Sequence, residues 1–362
     1  MPLDVRRPIR IRFEHTRFPH FGNHSGYPQF PRFLDSRRYE TSLHGASDDG
    51  TECARRLYPF RPLLQRLISR GGLRWYKLSD FNAELEAFLA CLRGRVDIVH
   101  FLDGEHSGQY LPRMLRMARI SSVRVIATFH QPPSILRDLI DPNLLSRFDR
   151  IVLMSPSQVP YFAQHVATDR LRVILHGVDT DFFRPRTAPT TGARLRCITV
   201  GHWLRDWDVF KGVAASMPEV SFDVVTGRKT LLEEGPNVRL FRTVEDDQLA
   251  DLYRQADVLF LPLIDSTANN ALLEGLASGL PIVSSDLASV KAYVPDPAAI
   301  LVARNSVEGF VAALKKLHAD PDLARRMAMA ARARAMELAW PRLVGDYERL
   351  YEEACHEPSV RG

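Results

Sequence analysis

Residues 256–286, ADVLFLPLIDSTANNALLEGLASGLPIVSSD, constrain the fold more than any other stretch. Residues 258–261 form a short apolar run of the kind that makes a buried strand. The next residues are small and polar, and Asn269 or Asn270 suits a helix N-cap because its side chain can accept from amides two or three residues on. Leu272, Leu273, Leu276 and Ala277 recur at helical spacing and predict one buried stripe. Gly279 suits the left-handed residue that closes a helix, Pro281 forbids continuation, and Ile282 and Val283 start another apolar run. This strand–loop–helix–strand order is a parallel-sheet unit.

Such a unit has chemical consequences. The first helical turn is expected to leave the amides of Ala271, Leu272 and Leu273 without intrahelical partners, with the positive end of the helix dipole behind them. Amides so placed suit a phosphate. Glu274 lies off the leucine stripe on the face of Asn270 and Ser278, where a carboxylate can accept two hydroxyls of a ribose. Diphosphate on amides and ribose on a carboxylate describe a nucleotide-sugar site. In the alternative reading, Glu274 only complements its own helix dipole.

From about residue 172 to 353 the chain resembles the C-terminal half of the family 4 retaining glycosyltransferases. The phrases that carry the resemblance are VILHGVDTDFFRP, NVRLFRTVEDDQLADLYRQADVLFLPL, NNALLEGLASGLPIVSSD and ILVARNSVEGFVAALKKL, in the family's order and spacing. The resemblance implies an α/β GT-B fold, two Rossmann-like doubly wound parallel-sheet domains facing across a cleft. It also implies a donor ribose on Glu274, a diphosphate near Asn269, Asn270 and Ala271 to Leu273, and base contacts near Phe241 and Arg242. Gly201 ends the first strand of that half.

Two positions depart from the family pattern. Its first glutamate, eight residues before Glu274, is here Ser266 beside Asp265. Its arginine and lysine after the strand-ending glycine are here His202 and Trp207, with Arg205 and Lys211 as the nearby cations.

At 362 residues the chain exceeds one ordinary core, so two domains are expected, 1–185 and 186–338, and the resemblance implies that a terminal helix at 339–362 crosses back to the first. No apolar run approaches eighteen residues, the first fifteen residues hold no apolar leader, and the four cysteines are scattered. A cytoplasmic protein with reduced thiols is expected, at the inner face of a membrane if it is peripheral. Residues 1–185 carry 27 Lys/Arg against 19 Asp/Glu, and residues 186–362 carry 21 against 24. The basic half suits an anionic acceptor or an anionic lipid surface.

Within the first half, Ile9 to Phe13 alternates like a strand and residues 36–52 read as an irregular loop. Gly22 and Gly26 suit a flexible first loop that lets donor or acceptor approach the backbone. His15, His20 and His24 lack the cysteines or paired carboxylates of a metal site. Residues 53–79 hold seven basic residues and no acidic one, interleaved with Tyr58, Phe60, Leu63, Leu64, Leu67 and Ile68. They form either a helix with its stripe turned inward or a basic amphipathic segment for anionic lipid. No nucleic-acid-binding motif is present. His130 ends the run RVIATF, and a strand's carboxyl end is where doubly wound sheets place chemistry.

The expected activity is transfer of a sugar from a UDP- or GDP-linked donor to a hydroxyl of a glycan, glycolipid or small acceptor, with retention, in polysaccharide or glycoconjugate synthesis. His130, Arg205 and Glu274 are the catalytic candidates. No cofactor or metal is required beyond the nucleotide sugar. The competing reading is a GT-B binding or scaffold protein that has lost catalysis. An NAD enzyme is not expected, because the glycine fingerprint and a suitably placed acidic residue are missing.

Overall fold

A computed structural model describes residues 7–18, 22–50, 55–68, 71–187, 194–227 and 232–360. The chain forms two compact units. One holds residues up to 21, 27–175 and 343–362; the other holds 22–26 and 176–342.

The first unit is a six-stranded parallel sheet in the order β2-β1-β3-β4-β5-β6. The strands are β1 (Ile9–Arg17), β2 (Tyr39–Ser47), β3 (Ile98–Phe101), β4 (Arg124–Phe129), β5 (Arg150–Leu153) and β6 (Leu171–Val173). Its helices are α1 (Arg61–Ile68), α2 (Leu78–Leu92), α3 (Leu111–Met117), α4 (Pro133–Leu139) and α5 (Val159–Phe162). Strands β3 and β5 are buried throughout and β4 nearly so, as parallel strands covered on both faces must be.

One expectation for this unit needs correction. Residues 36–52 are largely strand: β2 runs parallel to β1 from Ile9↔Tyr39 to Arg17↔Ser47. It is an edge strand with a half-exposed polar face, so it carries no apolar signature. Arg12 is buried and donates to Glu14 Oε1 at 2.5 Å, and burial pushes the Glu14 carboxyl up to about 8.

The second unit is also a six-stranded parallel sheet, ordered β12-β11-β10-β7-β8-β9. Its strands are β7 (Arg196–Val200), β8 (Ser221–Val225), β9 (Val238–Phe241), β10 (Val258–Leu261), β11 (Ile282–Ser285) and β12 (Ala299–Val302). Helices α6 (Trp207–Ser216), α7 (Asp246–Gln255), α8 (Asn270–Ala277), α9 (Ala288–Tyr293), α10 (Val307–Ala319) and α11 (Pro321–Glu337) complete it. Strand order reverses between β7 and β10, and the crevice beyond the carboxyl ends at such a reversal is where doubly wound sheets bind ligands.

The terminal helix α12 (Trp340–His356) begins in the second unit and continues in the first. In the second, the backbone of Val178 bonds that of Leu338 at 3.1 Å, and Trp340 fills the space beside Gly177, where a Cβ would come within 2.4 Å of the indole. In the first, Tyr351 Oη meets His100 Nδ1 at 2.8 Å. Residues 176–185 belong to the second unit because Phe183 is fully buried there, edge-on to Tyr253 at 5.8 Å. Of the expected hinge at 182–194, residues 188–193 lie outside the described residues.

Candidate donor site

The loop after β7 places Arg205. Gly201 adopts φ +87°, open to glycine at little cost, and a Cβ there would stand 2.9 Å from Arg205 Nη2. The loop is tied to the segment after β10: Ile264 N–H donates to Leu204 O at 2.9 Å and Asp206 N–H to Pro262 O at 2.9 Å. Asp206 also caps α6 by accepting from Val209 N at 3.1 Å. Arg205 is buried so completely that its guanidinium is pushed down to about 10. It donates to Val200 O at 2.6 Å, Trp203 O at 2.9 Å and Asn269 Oδ1 at 3.4 Å. Its N–H groups largely hold its own chain, so what it offers a ligand is its charge.

Asn269 is the N-cap of α8, and Gly279, at φ +68°, follows its C-cap Ser278. The cap changes the expected amide pocket. Leu272 N–H donates to Asn269 Oδ1 at 3.2 Å and Leu273 N–H to Asn269 O at 3.1 Å. Both amides are therefore spent within the helix start, which leaves Asn270 and Ala271 as the first-turn amides that could turn to a phosphate.

Glu274 is enclosed, although it lies off the leucine stripe. Residues 271–277 of α8 are buried on every side, because the helix lies under α11, where Arg332 reaches Ala277 O at 2.7 Å. Glu274 is 4% exposed. Its Oε1 accepts from Ser25 Oγ at 2.6 Å and its Oε2 from Tyr253 Oη at 2.8 Å. Burial raises the carboxyl, while the two hydroxyl donors and the Arg205 charge pull it back.

The structure brings Gly201, Arg205, Asn269 and Glu274 together at the β7/β10 reversal. Ser266 is buried nearby, its amide turned to Asp265 Oδ1 at 2.7 Å, and His202 is half-buried after Gly201. Three expected donor residues lie elsewhere. Lys211 sits on the second turn of α6, paired with Asp208 at 3.5 Å, and lines a cleft with Ala214, Pro218 and Asn237. That cleft lies on the side where β9 begins, since Asn237 directly precedes that strand. Phe241 ends the edge strand β9, two strands away from β7, and Arg242 follows it. Trp207, at the position of the family lysine, packs edge-on to Phe210 at 5.7 Å.

In the first unit the carboxyl edge gathers a second polar group. His130 donates its backbone N–H to Glu105 Oε1 at 2.5 Å. Its Nε2 meets Leu102 O at 2.7 Å, so the proton resides on Nε2, since a carbonyl only accepts. The ring lies 4.3 Å from that of Tyr27, whose hydroxyl donates to Asp103. Burial pushes Asp103 up to about 7 and Glu105 up to about 8. Sequence reasoning missed Tyr27, Asp103 and Glu105, although two acids in LDGEH directly after β3 were a readable signal. Ser25 and Tyr253 had none.

His24 meets Asp179 Oδ2 at 2.7 Å in the second unit and His15 sits on β1 in the first; His20 lies outside the described residues. Among the described residues no group of three or more His, Cys, Asp or Glu is placed to hold a metal ion, and no helix is long and apolar enough to cross a membrane. Gly26, at φ +83°, ends the segment that carries Ser25. Of the stripe in α1, Leu64 and Ile68 pack inward on the core of the first unit, while Leu63, and Tyr58 and Phe60 before the helix, are more than half exposed. Arg61 lies over the Tyr58 ring at 5.7 Å. Cys53, Arg70 and the side chain of Leu67 lie outside the described residues.

Two family models match the chain: Glycosyltransferase Family 4 over residues 29–182 and Glycosyl transferases group 1 over residues 207–320. The chain is 24% identical over 347 residues to a D-inositol 3-phosphate glycosyltransferase of Thermobispora bispora, covering 81% of this chain and 80% of that one. It is 28% identical over 338 residues to an MMP alpha-(1->4)-mannosyltransferase of Mycolicibacterium hassiacum, covering 80% and 79%. The catalytic domain of starch synthase IV from Arabidopsis thaliana, solved with ADP and acarbose, shares the fold at a TM-score of 0.72 and 10% identity, over 97% of this chain and 100% of that one.

Proposed function

Since this chain is a family 4 glycosyltransferase of the GT-B fold, we propose that it moves a sugar from a nucleoside diphosphate sugar to an acceptor hydroxyl, with retention of configuration. The observation that carries the donor reading is the grouping of Glu274, the α8 N-terminus and the buried Arg205 charge at the β7/β10 reversal. Glu274 accepts ribose hydroxyls, and the diphosphate lies against the Asn270 and Ala271 amides within the field of Arg205.

In the transfer, the bond from the anomeric carbon to the phosphate oxygen breaks. The acceptor oxygen bonds that carbon on the same face, and the acceptor proton passes to the departing phosphate oxygen. Charge builds on the diphosphate, so fixed amide dipoles and Arg205 lower the barrier. This route needs neither a general base nor a metal. His130, with its proton fixed on Nε2, contributes by orienting a hydroxyl at the carboxyl edge of the first unit.

The partner reading rests on the first unit. Exposed Tyr58, Phe60 and Leu63 beside Arg61 and Arg66 suit an anionic lipid surface and a lipid-linked glycan acceptor. A cytoplasmic place at the inner membrane face accords with that reading. One observation favours the scaffold alternative: Trp207 fills core where the family carries a diphosphate lysine.

The test is release of UDP or GDP from labelled nucleotide sugars, with EDTA present. Turnover unaffected by chelation, and product NMR showing the donor's anomeric configuration, fit the proposal. Inversion or manganese dependence contradicts it.

A further inference from the structure

Residues Gly22–Gly26 belong to the second unit although the described residues on both sides of them in the chain belong to the first. They dock there at three points. Asn23 N–H donates to Asp246 Oδ2 at 2.6 Å, at the first turn of α7. His24 pairs with Asp179 at 2.7 Å and stacks on Phe182, ring centres 3.7 Å apart and nearly coplanar. Ser25 Oγ donates to Glu274 Oε1 at 2.6 Å, the short distance expected for a hydroxyl on a carboxylate. Gly22 lies so close to α7 that a Cβ would stand 1.6 Å from Asp246 Oδ1.

Ser25 and Tyr253 thus present Glu274 with two hydroxyls, one on each oxygen, in the manner of a ribose diol. With the segment docked, the carboxylate is closed to any ligand. Tyr253 is fixed within α7, whereas Ser25 lies on a five-residue connection outside any helix or strand.

We propose that Gly22–Gly26 is a strap whose Ser25 hydroxyl stands in the place of one donor hydroxyl on Glu274, so that Ser25 sets the threshold for donor entry. This rests on the reading of Glu274 as the ribose acceptor. Donor binding exchanges the Ser25 hydrogen bond for one from the sugar, and apparent affinity is reduced by the fraction of molecules with the strap docked.

The experiment is calorimetric titration of the full chain with UDP and GDP, on wild type, Ser25→Ala, Gly22→Ala and Glu274→Ala. Hydrogen exchange at the Asn23 amide is followed in parallel. Ser25→Ala is expected to bind the nucleotide at least about tenfold more tightly, as loss of one hydrogen bond to a charged group dictates. Gly22→Ala, whose Cβ displaces the Asp246 carboxylate from the Asn23 amide without altering Glu274, should shift the affinity the same way. The Asn23 amide should exchange faster once nucleotide is bound. Binding lost in Glu274→Ala but unchanged or weakened in Ser25→Ala and Gly22→Ala overturns the strap and leaves the donor site standing. Absence of binding in wild type and both strap variants overturns the donor site itself, and the strap with it.

Discussion

The hydroxyl of Tyr253 donates to Glu274 Oε2 at 2.8 Å, and both groups are buried in the second unit. A helix two elements upstream thereby holds the carboxylate on which the donor reading depends. Tyr253→Phe leaves Glu274 Oε2 without its donor, which should cost about 1–3 kcal/mol. Urea unfolding of the two proteins at pH 7 checks this, and equal midpoints would contradict it.

Gly201→Ala should be more harmful than its size suggests. It places a Cβ at φ +87° and 2.9 Å from Arg205 Nη2. The left-handed backbone alone costs about 1–2 kcal/mol, and displacing Arg205 should weaken nucleotide binding as well. Gly227→Ala is the control, since a Cβ there meets nothing within 4 Å. Thermal melts and titrations with UDP and GDP should separate the two variants.

Arg205→Lys should lower kcat by up to about 100-fold, the low end of the roughly 100- to 1000-fold loss on removing one donor to a developing oxyanion. A lysine keeps a charge but cannot reproduce the guanidinium fork that reaches Val200 O, Trp203 O and Asn269 Oδ1 together. Steady-state kinetics check this, and unchanged kcat would remove Arg205 from the mechanism.

His100 gives the first unit a pH dependence of known sign. It lies between Tyr351 Oη and Thr128 Oγ1, each at 2.8 Å, and burial pushes it down to about 3. The unfolded chain therefore binds a proton that the folded one refuses. The stability His100 contributes is present above its ordinary value near 6.5 and is lost as pH falls from there towards 3. Melting temperatures from pH 7 to 4 should fall less steeply in His100→Gln than in wild type. Parallel profiles would contradict the assignment.

Leu63→Asp combined with Arg66→Glu should abolish sedimentation with vesicles containing anionic lipid while leaving the melting temperature unchanged, since Leu63 is 57% exposed. Unchanged sedimentation would remove the lipid surface from the account.

The parallel strands and α8 were legible because apolar runs, an N-capping asparagine and a closing glycine are local signals. Strand β2 was not, because an edge strand buries too little to be apolar. Of the donor group, Glu274 and Asn269 could be read from spacing. The enclosure of Glu274 could not, since Ser25 and Tyr253 reach it from 249 and 21 residues away. Lys211 was drawn in by proximity in sequence, and the helix α6 carries it off to another face.

The most direct measurement is a thermal-shift panel with UDP, GDP, ADP, TDP and NAD on wild type and Glu274→Ala. A ligand at a hundred times its dissociation constant adds about 2.7 kcal/mol of stability. Stabilisation by one nucleoside diphosphate, and its loss in a Glu274→Ala protein that still folds, is the predicted result. A nucleotide shift of the same size in both proteins, or none from any diphosphate, would contradict the donor site described here.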